Sequence, residues 1–341
     1  MPKFILDKNK ALEQYKIVEE LGDVVSYSSK TNPLITEILE DNTNCMFSIH
    51  FVKELKNVKD LSRVLFLAQG WNKEEIRGLV DKGISFFAVD NESDLDILLE
   101  FLEGYEDQVS LMLRLKLKEH SLRTERYFVF GMGSKVVNAR VKELKGHPRI
   151  KELGVHFHRK TQNMSEWNYK DEMSLVLEED VLKSLNYINI GGGLPSVYAN
   201  TNVQVLEGIK KKIKEFGEWL HKFDVKMVIE PGRFIAAPSV KLVTKVLAVY
   251  ENNIIVDASV YNTDLDALIV PVKLLVEGEV ARGEGEAYVI KGSTPCSMDL
   301  FRYRVYLKDV KVGDELVFLN AGAYNFSTEF CDLEKVETEF V

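Results

Sequence analysis

The sequence predicts an α/β protein: a (β/α)8 barrel over residues 8–236, followed by an antiparallel β-domain over residues 237–341, with residues 1–7 joining the latter. Three observations predict it. Short, nearly all-apolar runs alternate with longer charge-rich segments of helical period, as parallel strands covered by helices require. Seven or eight such units fit into about 235 residues, which suits a closed barrel better than a doubly wound sheet. After Pro238 the pattern changes to short β-branched runs parted by turn residues.

A helical stretch from Ala11 to Leu21 precedes the first strand, Val24–Tyr27, which leads through Ser28-Ser29-Lys30 to a helix start at Thr31-Asn32-Pro33. Strands follow at Val64–Leu67 and Phe86–Val89, each succeeded by a helical segment, Lys73–Asp81 and Glu92–Leu102. Further strands are Leu111–Leu115, Gly154–Phe157, Tyr187–Ile190 and Lys226–Ile229. Ahead of the last lies a helix over 204–223, with Val205, Ile209, Ile213, Phe216 and Leu220 three or four apart on one face. The later strands are Val246–Tyr250, Ile254–Val256, Ala287–Ile290, Tyr303–Tyr306 and Leu316–Leu319, punctuated by turns at 277–279 and 313–315. No repeat or low-complexity segment interrupts the chain.

Composition narrows the function. Hydrophobic residues make up 45% of 341 and charged ones 28%, enough for a sizeable core and incompatible with global disorder. Lys plus Arg is 44 against 53 for Asp plus Glu, a net charge of −9 that repels phosphate backbones, so no nucleic-acid partner is expected. No apolar run approaches the ~18–20 residues a membrane span needs, and the start lacks a signal-peptide core, so a cytoplasmic protein without a membrane partner is expected. Cys45, Cys296 and Cys331 are too few and too scattered for a disulfide framework or a metal cluster.

In a (β/α)8 barrel chemistry sits at the C-terminal strand ends. Those ends carry Lys30, Arg114, His158, Gly191-Gly192-Gly193 and Glu230-Pro231-Gly232-Arg233. Singly, each has a plain structural reading: a solvated lysine, a core histidine, a tight glycine turn, an internal salt bridge. Together they suit pyridoxal phosphate. An amine can form a Schiff base, an imidazole can lie on the ring, and consecutive glycines can offer backbone N–H groups to a phosphate.

The segments Tyr27–Pro33, Gly154–His158, Gly191–Gly193 and Glu230–Arg233 resemble, in order, those of the alanine-racemase-fold (fold type III) decarboxylases. These include the ornithine, diaminopimelate, arginine and carboxynorspermidine decarboxylases. The likeness continues at Gly292–Asp299 and Ala321–Tyr324. It implies a pyridoxal-phosphate-dependent amino-acid α-decarboxylase of amino-acid or polyamine metabolism, acting as a homodimer with shared active sites. Residue by residue, the resemblance implies that Lys30 forms the aldimine with the cofactor and His158 stacks on its ring. Gly191, Gly192, Gly193, Gly232, Arg233 and Tyr324 bind the phosphate, and Arg114 approaches the ring hydroxyl. Glu230 pairs with the pyridine nitrogen and keeps it protonated, which favours loss of CO2. Racemases of the fold resemble the chain less here, since they place an arginine at that point.

Three departures bear on the substrate. Cys296 lies four residues after Gly292 rather than three, and Ser297 replaces the acidic residue that usually follows. Cys296 remains the candidate acid returning a proton to Cα, against a buried small hydrophobe, and Asp257 and Asp299 are the candidates for reading the far end of the substrate. Arg159-Lys160-Thr161 replaces a small neutral stretch, so Arg159 and Lys160 either meet an anionic distal group or point to solvent. Ser48 stands in a segment, Phe47–His50, that often carries an acid near the ring. The expected substrate is thus a basic amino acid or a derivative with a polar or anionic distal group. The alternatives are a larger biosynthetic intermediate (a carboxylated polyamine, or a peptide- or nucleotide-linked amino acid) and amino-acid racemisation.

Overall fold

The computed structural model describes residues 1–117, 129–325 and 328–341, the side chain of Cys331 apart. The chain divides into two compact units: residues 15–195 with 204–232, and residues 1–14 with 196–203 and 233–341.

The first unit holds a closed parallel barrel. Numbering from β1 (Lys3–Leu6) and α1 (Lys8–Glu19), its strands are β2 (Val24–Ser28), β3 (Met46–Ile49), β4 (Val64–Ala68), β5 (Phe86–Val89), β6 (Val109–Arg114), β7 (Ile150–His156), β8 (Tyr187–Asn189) and β9 (Lys226–Ile229), paired in that order. Closure is made by Val24 and Val25 pairing with Val228 and Ile229. The intervening helices are α2 (Pro33–Asn42), α3 (Lys73–Val80), α4 (Glu92–Leu102), α5 (Ser134–Leu144), α6 (Tyr169–Val176), α7 (Glu179–Leu182) and α8 (Leu206–His221). Their starts are legible: Asn32 caps α2 ahead of Pro33, Asn72 and Glu75 form a capping box on α3, and the Asn91 side chain accepts from Asp94 N–H on α4. Leu65, Phe86, Ala88, Met112 and Val228 pack together as a buried apolar cluster drawn from four of the strands. Ile209, Ile213, Phe216 and Leu220 of α8 are likewise buried, each contributing roughly 1.5–3 kcal/mol of transfer free energy.

Seven of the eight strands coincide with the apolar runs. The eighth, β3, does not stand out because Ser48 breaks it; Ser48 is fully buried, and its hydroxyl lies 2.7 Å from that of Ser26 on β2. A satisfied hydroxyl pair replaces an apolar contact there, and a reading based on apolar runs passes over it.

The second unit is a sheet of β10 (Val240–Tyr250), β11 (Asn253–Val256), β12 (Leu275–Val276), β13 (Glu286–Lys291), β14 (Leu300–Leu307), β15 (Glu315–Leu319) and β16 (Glu337–Phe340), ordered β12-β15-β10-β11-β13-β14, with β1 between β10 and β16. Stacked Phe301 and Phe318, 4.6 Å apart, mark its core. The sheet is mainly antiparallel, as expected, with two parallel pairs within it. The β11–β13 and β1–β16 pairs are parallel, which the long connections between their members permit. Among the described residues no helix is long and apolar enough to cross a membrane.

Candidate active site

The turn after β2 presents Lys30 from a fixed base. Ser29 and Thr31 on either side are fully buried; Ser29 Oγ lies 2.9 Å from Thr36 Oγ1, and Tyr27 OH donates to the Asn32 carbonyl at 3.0 Å. Lys30 itself keeps solvent access at the barrel mouth. Crowding by protein nevertheless strips water from the amine and lowers its pKa, against the pull of Glu230 and Glu54 and with the help of Arg114. The Glu230–Gly232 segment is locked to this turn. Ser28 N–H donates to the Pro231 carbonyl at 3.1 Å, and a Cβ on Gly232 would lie 2.1 Å from Thr31 Oγ1, so only glycine fits.

Glu230 follows β9 and is buried. Asn189 Nδ2 donates to its Oε1 at 2.8 Å, and His156 Nε2 stands 3.6 Å from its Oε2, beyond hydrogen-bond range. Desolvation alone would push the Glu230 carboxyl up. The His156 imidazole, the Asn189 amide and the nearby His50 ring outweigh it and hold the pKa at about 2. Glu230 is therefore a buried anion. Both ring nitrogens of His156 are buried without a hydrogen-bond partner among the described residues.

The glycine turn after β8 lies against His158. Gly191 (φ +64°) and Gly193 (φ +101°) adopt left-handed backbone, and Cβ atoms on Gly192 and Gly193 would meet the carbonyls of Glu230 at 2.6 Å and Lys160 at 2.4 Å. Gly191 N–H is taken by Asn189 Oδ1 at 2.8 Å, which leaves Gly192 and Gly193 as the donors the turn can offer. A Cβ on Gly191 would also touch His158 Cβ and Nδ1 at 3.0 Å, while the outer side of that imidazole is exposed. Desolvation of its inner side, then His156 and Arg114, lowers the His158 pKa.

Arg114, at the end of β6, donates to Asp90 Oδ1 at 2.9 Å, so much of its charge is balanced. Arg159 and Lys160 depart from both readings offered for them. Arg159 is buried and pairs with Glu172 and with Glu166 at 3.3 Å; Lys160 pairs with Glu166 at 2.9 Å. Two cations meet two carboxylates, and the segment buttresses the glycine turn, where Asn163 N–H donates to the Gly193 carbonyl at 2.9 Å.

In the second unit Arg233 is buried, and both its terminal nitrogens are held by Asp266; Nη1 also donates to Tyr198 OH at 2.9 Å. Its guanidinium lies 5.4 Å from the centre of the Tyr324 ring, whose residue carries a left-handed φ of 59°. Arg233 and Tyr324 are thus brought together, but Asp266 balances the charge expected to meet a phosphate. Cys296 is exposed, which corrects its reading as a buried hydrophobe. Asp299 in the same loop is buried and accepts from Val260 N–H, Thr294 N–H and Thr294 Oγ1 at 2.8, 3.0 and 2.7 Å. Asp257 accepts from Lys245 N–H at 2.7 Å. Both carboxylates organise backbone, a role that competes with reading a distant amine.

Sequence reasoning passed over His156, Asn189 and Asp266. The first two carried a signal: His156 stands two residues before His158 in an apolar strand run, and Asn189 is a lone polar residue inside an apolar strand. Asp266 carried none, being 33 residues from its partner.

The barrel-mouth residues fit pyridoxal phosphate. A water-stripped amine suits an aldehyde, a buried anion suits a protonated ring nitrogen, and the turn excludes any side chain where a phosphate would meet backbone N–H groups.

Over residues 11–237 the sequence matches the family described as pyridoxal-dependent decarboxylase, pyridoxal binding domain. It is 24% identical over 317 residues to the diaminopimelate decarboxylase of Campylobacter jejuni, covering 85% of this chain and 75% of that one. It is 24% identical over 313 residues to the 2-[(L-alanin-3-ylcarbamoyl)methyl]-2-hydroxybutanedioate decarboxylase of Staphylococcus aureus, covering 83% and 77%. In fold it is similar to the lysine/ornithine decarboxylase of Vibrio vulnificus complexed with putrescine, with a TM-score of 0.80 at 22% identity over 100% of this chain and 94% of that one.

Proposed function

The chain belongs to the pyridoxal-dependent decarboxylase family, a carboxy-lyase acting on amino acids, and we propose that its substrate is a basic amino acid or a derivative with a polar or anionic distal group. The observation that carries the choice of α-decarboxylation is Glu230, a buried carboxylate held ionised at a strand end. When bound, pyridoxal phosphate supplies an aldehyde for the amine and a ring that accepts the electron pair CO2 leaves behind.

This chain's residues then divide the work. Lys30 offers a free amine to the aldehyde. His158 would lie on the ring. Gly192 and Gly193 would offer backbone N–H to the phosphate, with Gly232 allowing the close approach of the Lys30 turn. Glu230 would hold a proton on the ring nitrogen. Cys296, exposed on its loop, returns a proton to Cα, and the enzyme works as a homodimer.

The basic substrate is supported by the relatives, which act on diaminopimelate or on lysine and ornithine. A second reading, a larger biosynthetic intermediate such as a carboxylated polyamine or a linked amino acid, draws on the S. aureus relative. The test is CO2 release by the purified chain with pyridoxal phosphate and, in turn, ornithine, lysine, arginine, diaminopimelate and carboxynorspermidine, with chiral chromatography of each mixture. Release from one of the four amino acids is the expected result. Release from carboxynorspermidine alone moves the assignment to the second reading, and inversion without CO2 overturns both.

A further inference from the structure

The Asn189 side chain holds two partners at once, and each belongs to a different part of the barrel mouth. Its Oδ1 accepts from Gly191 N–H at 2.8 Å, and its Nδ2 donates to Glu230 Oε1 at 2.8 Å. Glu230 N–H in turn donates to the Gly191 carbonyl at 2.8 Å. Three residues thus close a hydrogen-bonded ring across the ends of β8 and β9, just beyond the last paired rung, Asn189 with Val228. Asn189 is fully buried and Glu230 is buried too, so these bonds lie out of reach of bulk water.

The chemistry of the partners fixes how the amide is turned. Gly191 N–H can only donate, so the side-chain oxygen of Asn189 faces the glycine turn and its NH2 group faces the carboxylate. An ionised carboxylate at 189 would offer acceptors to both neighbours, and an apolar side chain would offer nothing to either; an amide supplies one acceptor and one donor together. A second interlock backs the first: a Cβ on Gly192 would meet the Glu230 carbonyl at 2.6 Å. The turn and the carboxylate segment therefore move together or not at all. Pyridoxal phosphate carries its ring nitrogen and its phosphate on one small frame. A molecule with two binding ends gains from both only where the two sites stand at the matching separation.

We propose that Asn189 is a positioning residue that sets the Glu230 carboxylate and the Gly191–Gly193 turn at one fixed separation, so that ring nitrogen and phosphate are met by a single pre-formed unit. The inference rests on the function proposed above and deepens it. Asn189 itself touches neither end of the cofactor; it acts through Glu230 and the turn.

The test uses the full chain as wild type, Asn189→Leu and Asn189→Ala. Affinity is measured for pyridoxal phosphate and pyridoxal by absorbance titration, and for inorganic phosphate by calorimetry. In the variants pyridoxal phosphate binds about tenfold more weakly or worse, while pyridoxal and inorganic phosphate, each needing one end of the unit, stay within about threefold of wild type. An unchanged affinity for pyridoxal phosphate overturns the proposal. So does a loss for either half as large as for the whole, which marks a general defect or assigns Asn189 to that end alone. Residue-resolved amide exchange on the cofactor-free chain is the second measurement. In the wild type Gly191 and Glu230 exchange more slowly than Gly192 and Gly193, and in the variants that difference shrinks. Equal exchange at the four amides of the wild type overturns the proposal even if neither variant folds. If no form of the chain takes up pyridoxal phosphate, the proposed function fails, while the exchange pattern still decides whether Asn189 joins the two segments.

Discussion

Glu230 is anionic because its neighbours are arranged for the charge. A carboxyl with an ordinary pKa of 4.5 is held at about 2, so its contribution to stability is complete above pH 4.5 and is lost as pH falls toward 2. That window corresponds to about 3 kcal/mol. Urea unfolding at pH 7 and pH 3 is expected to show a smaller acid loss for Glu230→Gln than for wild type. The same variant should still bind pyridoxal phosphate but lose about 10²–10³-fold in kcat, the usual size of one misplaced electrostatic group. Asp266→Ala removes the carboxylate that balances the buried Arg233 guanidinium, and should cost about 3–5 kcal/mol by denaturant titration. Glu230 and Lys30 were legible because strand ends announce themselves by the apolar run before them. The charge partners of Glu230 and Arg233 were not, since pairing in space leaves no mark on spacing.

The glycine turn shows the same at the level of an element. Three consecutive glycines after an apolar run read as a phosphate cradle or a tight turn, and the structure gives the reason each is needed: left-handed backbone at 191 and 193, and carbonyls at 192 and 193 where a Cβ would sit. Gly193→Ala should weaken cofactor binding at least tenfold, read by absorbance titration, and cost about 1–3 kcal/mol by thermal unfolding, the range typical of overpacking. The barrel strands were legible because burial on both faces makes them apolar throughout. β3 was the exception, because its polar residue is paired internally. In the second unit β10, β11, β13, β14 and β15 were legible and the short β12 and terminal β16 were not; nor was the parallel pairing of β11 with β13, which depends on a connection whose path the residues between do not advertise.

For the molecule as a whole, the expected homodimer is checked by sedimentation with and without pyridoxal phosphate: a dimer supports shared sites, and a fully active monomer removes them. The net charge of −9 should leave activity insensitive to added polyanions. One further consequence belongs to β1. Residues 3–6 hydrogen-bond with 240–243 on one side and with 337–340 on the other. On the ribosome, therefore, Phe4-Ile5-Leu6 must wait unpaired while every strand of the barrel emerges and can fold, and the seam closes only when the far segment is translated. Removing residues 337–341 should leave that early segment with one bare edge, readable as faster amide hydrogen exchange at Lys3–Leu6 and as aggregation during synthesis.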